Sequence, residues 1–295
     1  WVHSKTFACA GWSNPLIDVT SERSDLEIQQ AASVLGAYRV NLSWIRLNAD
    51  MSIWLEHEDG DTLRRFALFA HEYLHYLHNY STVAGICEFV CHLKLARLLI
   101  TASTDDGQCL GSAALTQEEL RDYAQLIQWQ LHLRGDCRLS MAADVHGNTF
   151  ALHVVNVQRT PFEITVQGQA LIPERAEVTA RIESSLAEPV TERFQLGYWV
   201  ITEGIAHAME KMIVAAAGRS TADLEASTPT FPYKVSERVI QARTGLVPTA
   251  EQALKIGLLA LQSGDCGASF IEIVDELSKA PHAIDDTLHQ LAART

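Results

Sequence analysis

The stretch Asp61-Thr62-Leu63-Arg64-Arg65-Phe66-Ala67-Leu68-Phe69-Ala70-His71-Glu72-Tyr73-Leu74-His75-Tyr76-Leu77-His78-Asn79-Tyr80 carries apolar residues at helical spacing. Inside it lies the pattern H-E-x-x-H, from His71 to His75. Residues four apart share one face of a helix. His71 and His75 can therefore aim two imidazole nitrogens at one point, which suits a tetrahedral Zn²⁺. Glu72, beside the first histidine, can accept the proton of a water activated there. The run Phe66–Ala70 is apolar, so the helix is expected to be buried. Two histidines and a glutamate in a buried helix need polar partners or a metal.

A catalytic zinc site takes three protein ligands and leaves a fourth position for water. The closely spaced pattern H-E-x-x-H-x-x-G-x-x-H fails here, because His78 stands at the glycine position and Ser81 at the last histidine. His78 shares the helical face of His71 and His75. It reads either as an alternative ligand, as a donor to one of them, or as a residue packing near the helix end.

A second stretch completes the set. In Trp199-Val200-Ile201-Thr202-Glu203-Gly204-Ile205-Ala206-His207-Ala208-Met209-Glu210, a carboxylate sits in an apolar run, with His207 and Glu210 on its face at i+4 and i+7. This stretch resembles the second helix of gluzincin metallopeptidases, where an apolar run leads into an E-G-x-A segment whose first glutamate binds zinc. It is most similar to the aminopeptidase-N-like group, whose helix carries another glutamate seven residues on, matched by Glu210. The resemblance assigns Glu203 as the third zinc ligand and implies a peptidase acting on a peptide or protein substrate. The chain departs from that pattern in three ways. The long stretch Tyr76–Thr202 separates the two motifs, where gluzincins have a short spacer. His207 stands where thermolysin-like enzymes place an aspartate that orients a histidine. No G-x-M-E-N motif is present, so aminopeptidase activity is not implied. The segment His71–Thr82 also looks like a group of poorly characterised bacterial H-E-x-x-H proteins, which gives no substrate.

A zinc hydrolase needs a donor for the developing oxyanion. His207 is one candidate, because it shares the Glu203 face. Tyr233, in Phe231-Pro232-Tyr233-Lys234, is the other, placed at the start of a helix after a rigid proline. The alternatives are a packing aromatic for Tyr233 and a residue that orients His71 for His207.

Bulk properties narrow the class. The formal net charge of −13 opposes a broad nucleic-acid footprint, which needs a basic face. Hydrophobic residues make up 47% and charged residues 20% of the 295, as in ordinary soluble globular proteins. The six cysteines (Cys9, Cys87, Cys91, Cys109, Cys137, Cys266) are scattered and lack a C-x-x-C pair. They read as small hydrophobes in a reducing, cytoplasmic setting. No apolar run reaches the ~20 residues of a membrane span. The first residue is Trp1 rather than Met, which leaves a removed leader open.

Along the chain, Ser24-Asp25 caps an expected helix over Leu26–Ala37, and β-favouring residues follow from Tyr38 to Leu47 and from Met51 to His57. Asp61 or Thr62 caps the H-E-x-x-H helix. Ser81-Thr82 and Gly85 interrupt it before a second helix, Ile86–Thr101. Thr104–Ser112 reads as a loop, and Thr116-x-x-Glu119 is a capping box for a helix to about Leu133. Thr149–Val157, Phe162–Gln167 and Glu177–Ile182 read as a small antiparallel sheet. Helix is expected again over Thr191–Ala217. Three or four more helices fill Tyr233–Ala293, with aliphatic stripes (Leu254, Leu258, Leu261; Ile271, Val274, Leu277) for a core or a partner surface.

The expected architecture is α+β and mostly helical, with zincin-like metal-site helices. It divides into an N-terminal part (1–134), a small β insertion (135–190) and a helical part (191–295). The expected activity is that of a zinc-dependent peptidase, with zinc held by His71, His75 and Glu203 and with Glu72 as general base. A regulatory protein partner is consistent with an acidic protease that shows no propeptide, and no nucleic-acid or membrane partner is expected. Two rivals are a catalytically silent zinc-binding scaffold, which has no need of Glu72, and a small-molecule zinc hydrolase.

Overall fold

The structure is a computed structural model and describes residues 36–39, 44–47, 60–135, 150–166 and 169–293. The chain is mostly helical, with a small antiparallel sheet, and is α+β as expected. The described residues begin with a hairpin, β1 (Gly36–Arg39) paired antiparallel with β2 (Trp44–Leu47). Gly36 and Ala37 are therefore strand residues, not the end of a helix. The rest of that expected helix (26–35) and the expected strand Met51–His57 lie outside the described residues.

Helix α1 (Gly60–Ser81) carries the H-E-x-x-H motif. It starts at Gly60, so Asp61 and Thr62 fall in its first turn and not at its cap. The apolar run before the motif is only partly covered: Ala67 is buried, whereas Phe66 is half exposed. One face of α1 packs inward and the other does not, the ordinary outcome for an amphipathic helix. The break after α1 is a single residue, Thr82. Its hydroxyl accepts from the Gly85 backbone N–H at 3.0 Å and caps α2 (Val83–Thr101), so Gly85 lies inside that helix. A Cβ at Gly85 would stand 2.0 Å from the His78 carbonyl oxygen. Glycine is what lets α2 cross α1 at backbone contact. Helix α3 (Gln117–Arg134) opens on the expected capping box, with Thr116 and Glu119 bonded reciprocally.

The β stretches form β3 (Ala151–Pro161), β4 (Ile164–Val166), β5 (Gln169–Leu171), β6 (Glu174–Glu183) and β7 (Val190–Leu196). Strands β3, β6 and β7 make one antiparallel sheet in that order, with a bulge between Val154 and Asn156, and β4 pairs with β5. Strand β7 corrects the expected helix from Thr191. Its charged residues suit a helix, but Phe194 and Leu196 alternate inward while β6 supplies Val178, Ala180 and Ile182 on the same side. Cross-strand packing outweighs local propensity.

After β7, α4 (Tyr198–Ala216) carries Glu203, and α5 (Ala222–Ser227) is a short surface turn of helix. Helices α6 (Val235–Thr244), α7 (Ala250–Ala260), α8 (Cys266–Lys279) and α9 (Ile284–Ala292) follow. The inner sheet face, α4 and the C-terminal helices share one apolar core, with Val178, Ile182, Phe194, Val200, Ile205, Ile256, Phe270 and Val274 at its centre. Within the aliphatic stripes, Leu261, Ile271, Val274 and Leu277 are core residues, and Leu254 and Leu258 pack partly buried against it. Gly267 brings α8 onto the end of β7, where a Cβ would stand 2.2 Å from the Leu196 carbonyl oxygen. Cys91 and Cys266 are buried, Cys87 is partly so, and Cys109 is exposed. Among the described residues no helix is long and apolar enough to cross a membrane.

Candidate metal centre

Helices α1 and α4 pack against each other. The contact is tied by the Tyr198 hydroxyl, which donates to Asn79 Oδ1 at 2.9 Å. This packing carries Glu203 across to the histidine face of α1. Glu203 Oε2 lies 3.2 Å from His71 Nε2 and 3.5 Å from His75 Nε2. Its other oxygen, Oε1, accepts from Trp199 Nε1 at 3.2 Å, one helical turn earlier. Trp199 thus fixes which carboxylate oxygen faces the histidines.

Among the described residues, His71, His75 and Glu203 form a group whose ligand atoms lie within 4.8 Å of one another, so a metal ion can be held there. The distances fit a small ion well. Metal–ligand bonds of about 2.0–2.1 Å in a tetrahedron give ligand–ligand edges of about 3.3–3.4 Å. The two observed histidine–carboxylate separations bracket that length. His71 and Glu203 are nearly inaccessible, at 4% exposure each.

Glu210, two turns beyond Glu203 on α4, completes the surroundings of His71. Its Oε1 lies 3.2 Å from His71 Nδ1, the nitrogen that faces away from Glu203. A carboxylate behind a ligating imidazole fixes the tautomer and raises its basicity. The sequence placed Glu210 on the Glu203 face but gave it no role. Position 207, where thermolysin-like enzymes carry the orienting carboxylate, is instead a fully buried histidine. His207 Nδ1 hydrogen-bonds to Glu210 Oε2 at 3.4 Å, and Nε2 lies 3.8 Å from Glu225 Oε2. Both ring nitrogens of His207 are thus turned toward carboxylates.

The electrostatics follow from this crowding. Burial opposes charge on Glu203, but His75 and His71 outweigh it and hold the carboxyl well below the usual range. Burial likewise opposes charging His71, yet Glu203 and Glu210 raise its pKa to about 10. Glu210 is lowered to about 2, because His207 and His71 outweigh its burial. Without a metal, a proton on His71 balances the buried carboxylates. A divalent cation would take over that balancing charge.

His78 does not join the ligand group. It is 1% exposed, neither ring nitrogen has a hydrogen-bond partner, and it meets the His75 ring edge-on at 6.4 Å. Burial, together with the charges of His75 and His71, lowers its pKa to about 3 and keeps it neutral. Glu72 is buried beside His71. Tyr233 sits two residues before α6, not in its first turn, with its ring 5.8 Å from that of His71 and 6.2 Å from that of His207. Burial raises its pKa well above the ordinary value, and Glu203, Glu210 and Glu72 raise it further. The phenol stays protonated. Gly204 makes this approach feasible, since a Cβ there would stand 2.9 Å from Ser236 Oγ, three residues after Tyr233.

The missed contacts were those of Trp199 and Glu210. Both stand at helical spacing from Glu203, at i−4 and i+7, which was the available signal. No family model, curated protein or solved structure matches the chain.

Proposed function

We propose that this chain is a zinc-dependent peptidase of gluzincin type, with the ion held by His71, His75 and Glu203. The observation that carries the reading is the buried two-nitrogen, one-oxygen group, both of whose histidine–carboxylate separations are near tetrahedral edge length, with Glu72 adjoining it on the same helix. Borderline ligands of this kind suit zinc. A zinc ion there supplies Lewis-acid chemistry, which lowers the pKa of water toward ~7 and polarises a carbonyl.

The protein's own groups supply the remainder. Glu72 takes a proton from the attacking water and delivers it to the leaving amine as the C–N bond breaks. Glu210 holds His71 in one tautomer, and Trp199 holds the Glu203 carboxylate in one orientation. Tyr233 keeps its proton and donates a hydrogen bond to the oxygen on which negative charge develops. His207, with both nitrogens facing carboxylates, is left to positioning. A peptide rather than an ester or small amide as substrate follows from the likeness of the α4 stretch to gluzincins.

The test uses purified zinc-loaded protein and a mixed peptide library read by mass spectrometry. The wild type is expected to cleave internal peptide bonds. Glu72→Gln, nearly isosteric but unable to take the proton, is expected to retain zinc and fold while losing cleavage. Cleavage by Glu72→Gln at the parent rate would remove Glu72 as the base. A zinc-loaded wild type that cleaves no peptide would favour the silent scaffold.

A further inference from the structure

The polar contacts do not stop at Glu210. His71 Nδ1 meets Glu210 Oε1 at 3.2 Å, Glu210 Oε2 meets His207 Nδ1 at 3.4 Å, and His207 Nε2 faces Glu225 Oε2 at 3.8 Å. Glu225 belongs to the short surface helix α5 and is itself held from two sides. Lys211 Nζ lies 3.0 Å from Oε1, and Lys234 Nζ lies 3.8 Å from Oε2 and donates to the Glu225 backbone carbonyl. Lys211 is in turn paired with Glu237 of α6. The line runs from a candidate ligand, through a histidine with no exposed surface, to a carboxylate that is 37% exposed at its side chain.

From this geometry we infer that Glu225 is a positioning residue for the metal centre, acting through His207 and Glu210 on His71. The inference rests on the proposed zinc site and adds a control point on the surface of α5. The physical reason is orientation. Glu210 sets one oxygen against each of two imidazoles, Oε1 at 3.2 Å from His71 Nδ1 and Oε2 hydrogen-bonded to His207 Nδ1, so the direction of its Oε1 depends on where Oε2 is held. His207 can hold Oε2 only if its own ring is fixed, and Glu225 faces its far nitrogen at 3.8 Å. Partners directly behind a metal-bound histidine are worth about 10–100-fold in metal affinity. Glu225 stands two partners further out, beyond Glu210 and His207, and a smaller factor of roughly 3–10-fold is expected, below that of the direct partner.

The experiment measures the zinc dissociation constant by competition with a chromophoric chelator, and the visible absorption of the Co²⁺-substituted protein, which reports ligand geometry. Four variants are compared with the wild type: Glu225→Gln, Glu210→Gln, the double variant, and Asp223→Asn as an exposed control on the same helix. Glu225→Gln is expected to weaken zinc roughly 3–10-fold and to shift the Co²⁺ bands, with Asp223→Asn unchanged. In the Glu210→Gln background the Glu225 change should have almost no further effect, because the line is already cut. Melting of the metal-free proteins separates folding loss from site loss. Since His207 is fully buried, the test is placed on Glu225, which reaches the surface. Wild-type affinity and spectrum in Glu225→Gln, or an effect that adds in full to that of Glu210→Gln, would overturn the inference while leaving the zinc site standing. A wild type that binds no zinc would overturn both.

Discussion

At the scale of single residues, the site is governed by two histidines whose environments push them in opposite directions. Metal-free His71 is raised from 6.5 to about 10 and His78 is lowered from 6.5 to about 3. A histidine with a raised folded-state value stabilises the fold below its unfolded value of 6.5, and that contribution is lost as pH rises toward 10. A histidine with a lowered value has the reverse effect, and stability falls as pH drops from 6.5 toward 3. In the metal-free protein the two together put the optimum of this cluster near pH 6.5. Urea denaturation across pH 5–9 checks this, with His78→Asn expected to flatten the acid side selectively. Continued gain in stability from pH 7 to 9 would count against the assigned environment of His71. Tyr233 belongs to the same scale. Its hydroxyl is proposed to donate in the transition state, so Tyr233→Phe is expected to lower kcat by roughly 10²–10³ with little change in KM. A near-normal kcat would place the donor elsewhere, a backbone N–H included.

At the scale of elements, glycines decide how closely the site helices meet. Gly204 lets the turn before α6 rest on α4 and so carries Tyr233 toward His71. Gly204→Ala is expected to cost about 1–3 kcal/mol, the usual range for overpacking, and to lower activity more than zinc content. Chemical denaturation and metal analysis measure the two effects, and unchanged stability would mean that Ser236 yields without strain. The legibility of the sequence follows the same division between local and distant causes. The helix of His71 and His75, the Thr116–Glu119 capping box and the strands around Val154 and Val178 are set by periodicity and caps within a few residues, and were readable. Strand β7 was not, because Glu192 and Arg193 speak for helix and only pairing with β6 turns Phe194 and Leu196 into alternating core residues. The group of His71, His75 and Glu203 was readable as a candidate metal site because each residue sits in a distinctive local context. The contact of Glu210 with His71 Nδ1 was not, since it depends on how α4 docks on α1 across a long intervening chain.

At the scale of the whole molecule, one apolar core joins the sheet to the C-terminal helices, and the candidate metal centre lies where α1 meets α4. A metal there crosslinks two elements distant in sequence, so it should stabilise the folded chain by mass action. At free zinc of 100 times Kd the gain is about 2.7 kcal/mol. For a chain of this size that corresponds to a Tm rise of roughly 4 °C, lost again on chelation. An unchanged Tm would mean that the ion does not bind the folded state in preference. The central claim is that α1 and α4 together hold one zinc ion, and it is tested most directly by metal analysis of the wild type, His71→Ala and Glu203→Ala after equilibration with limiting zinc. About one equivalent is expected in the wild type, as for a single three-ligand site, with strong loss in both variants. Full retention of zinc in Glu203→Ala, alongside loss in His71→Ala, would contradict the account, because the metal would then be held without α4.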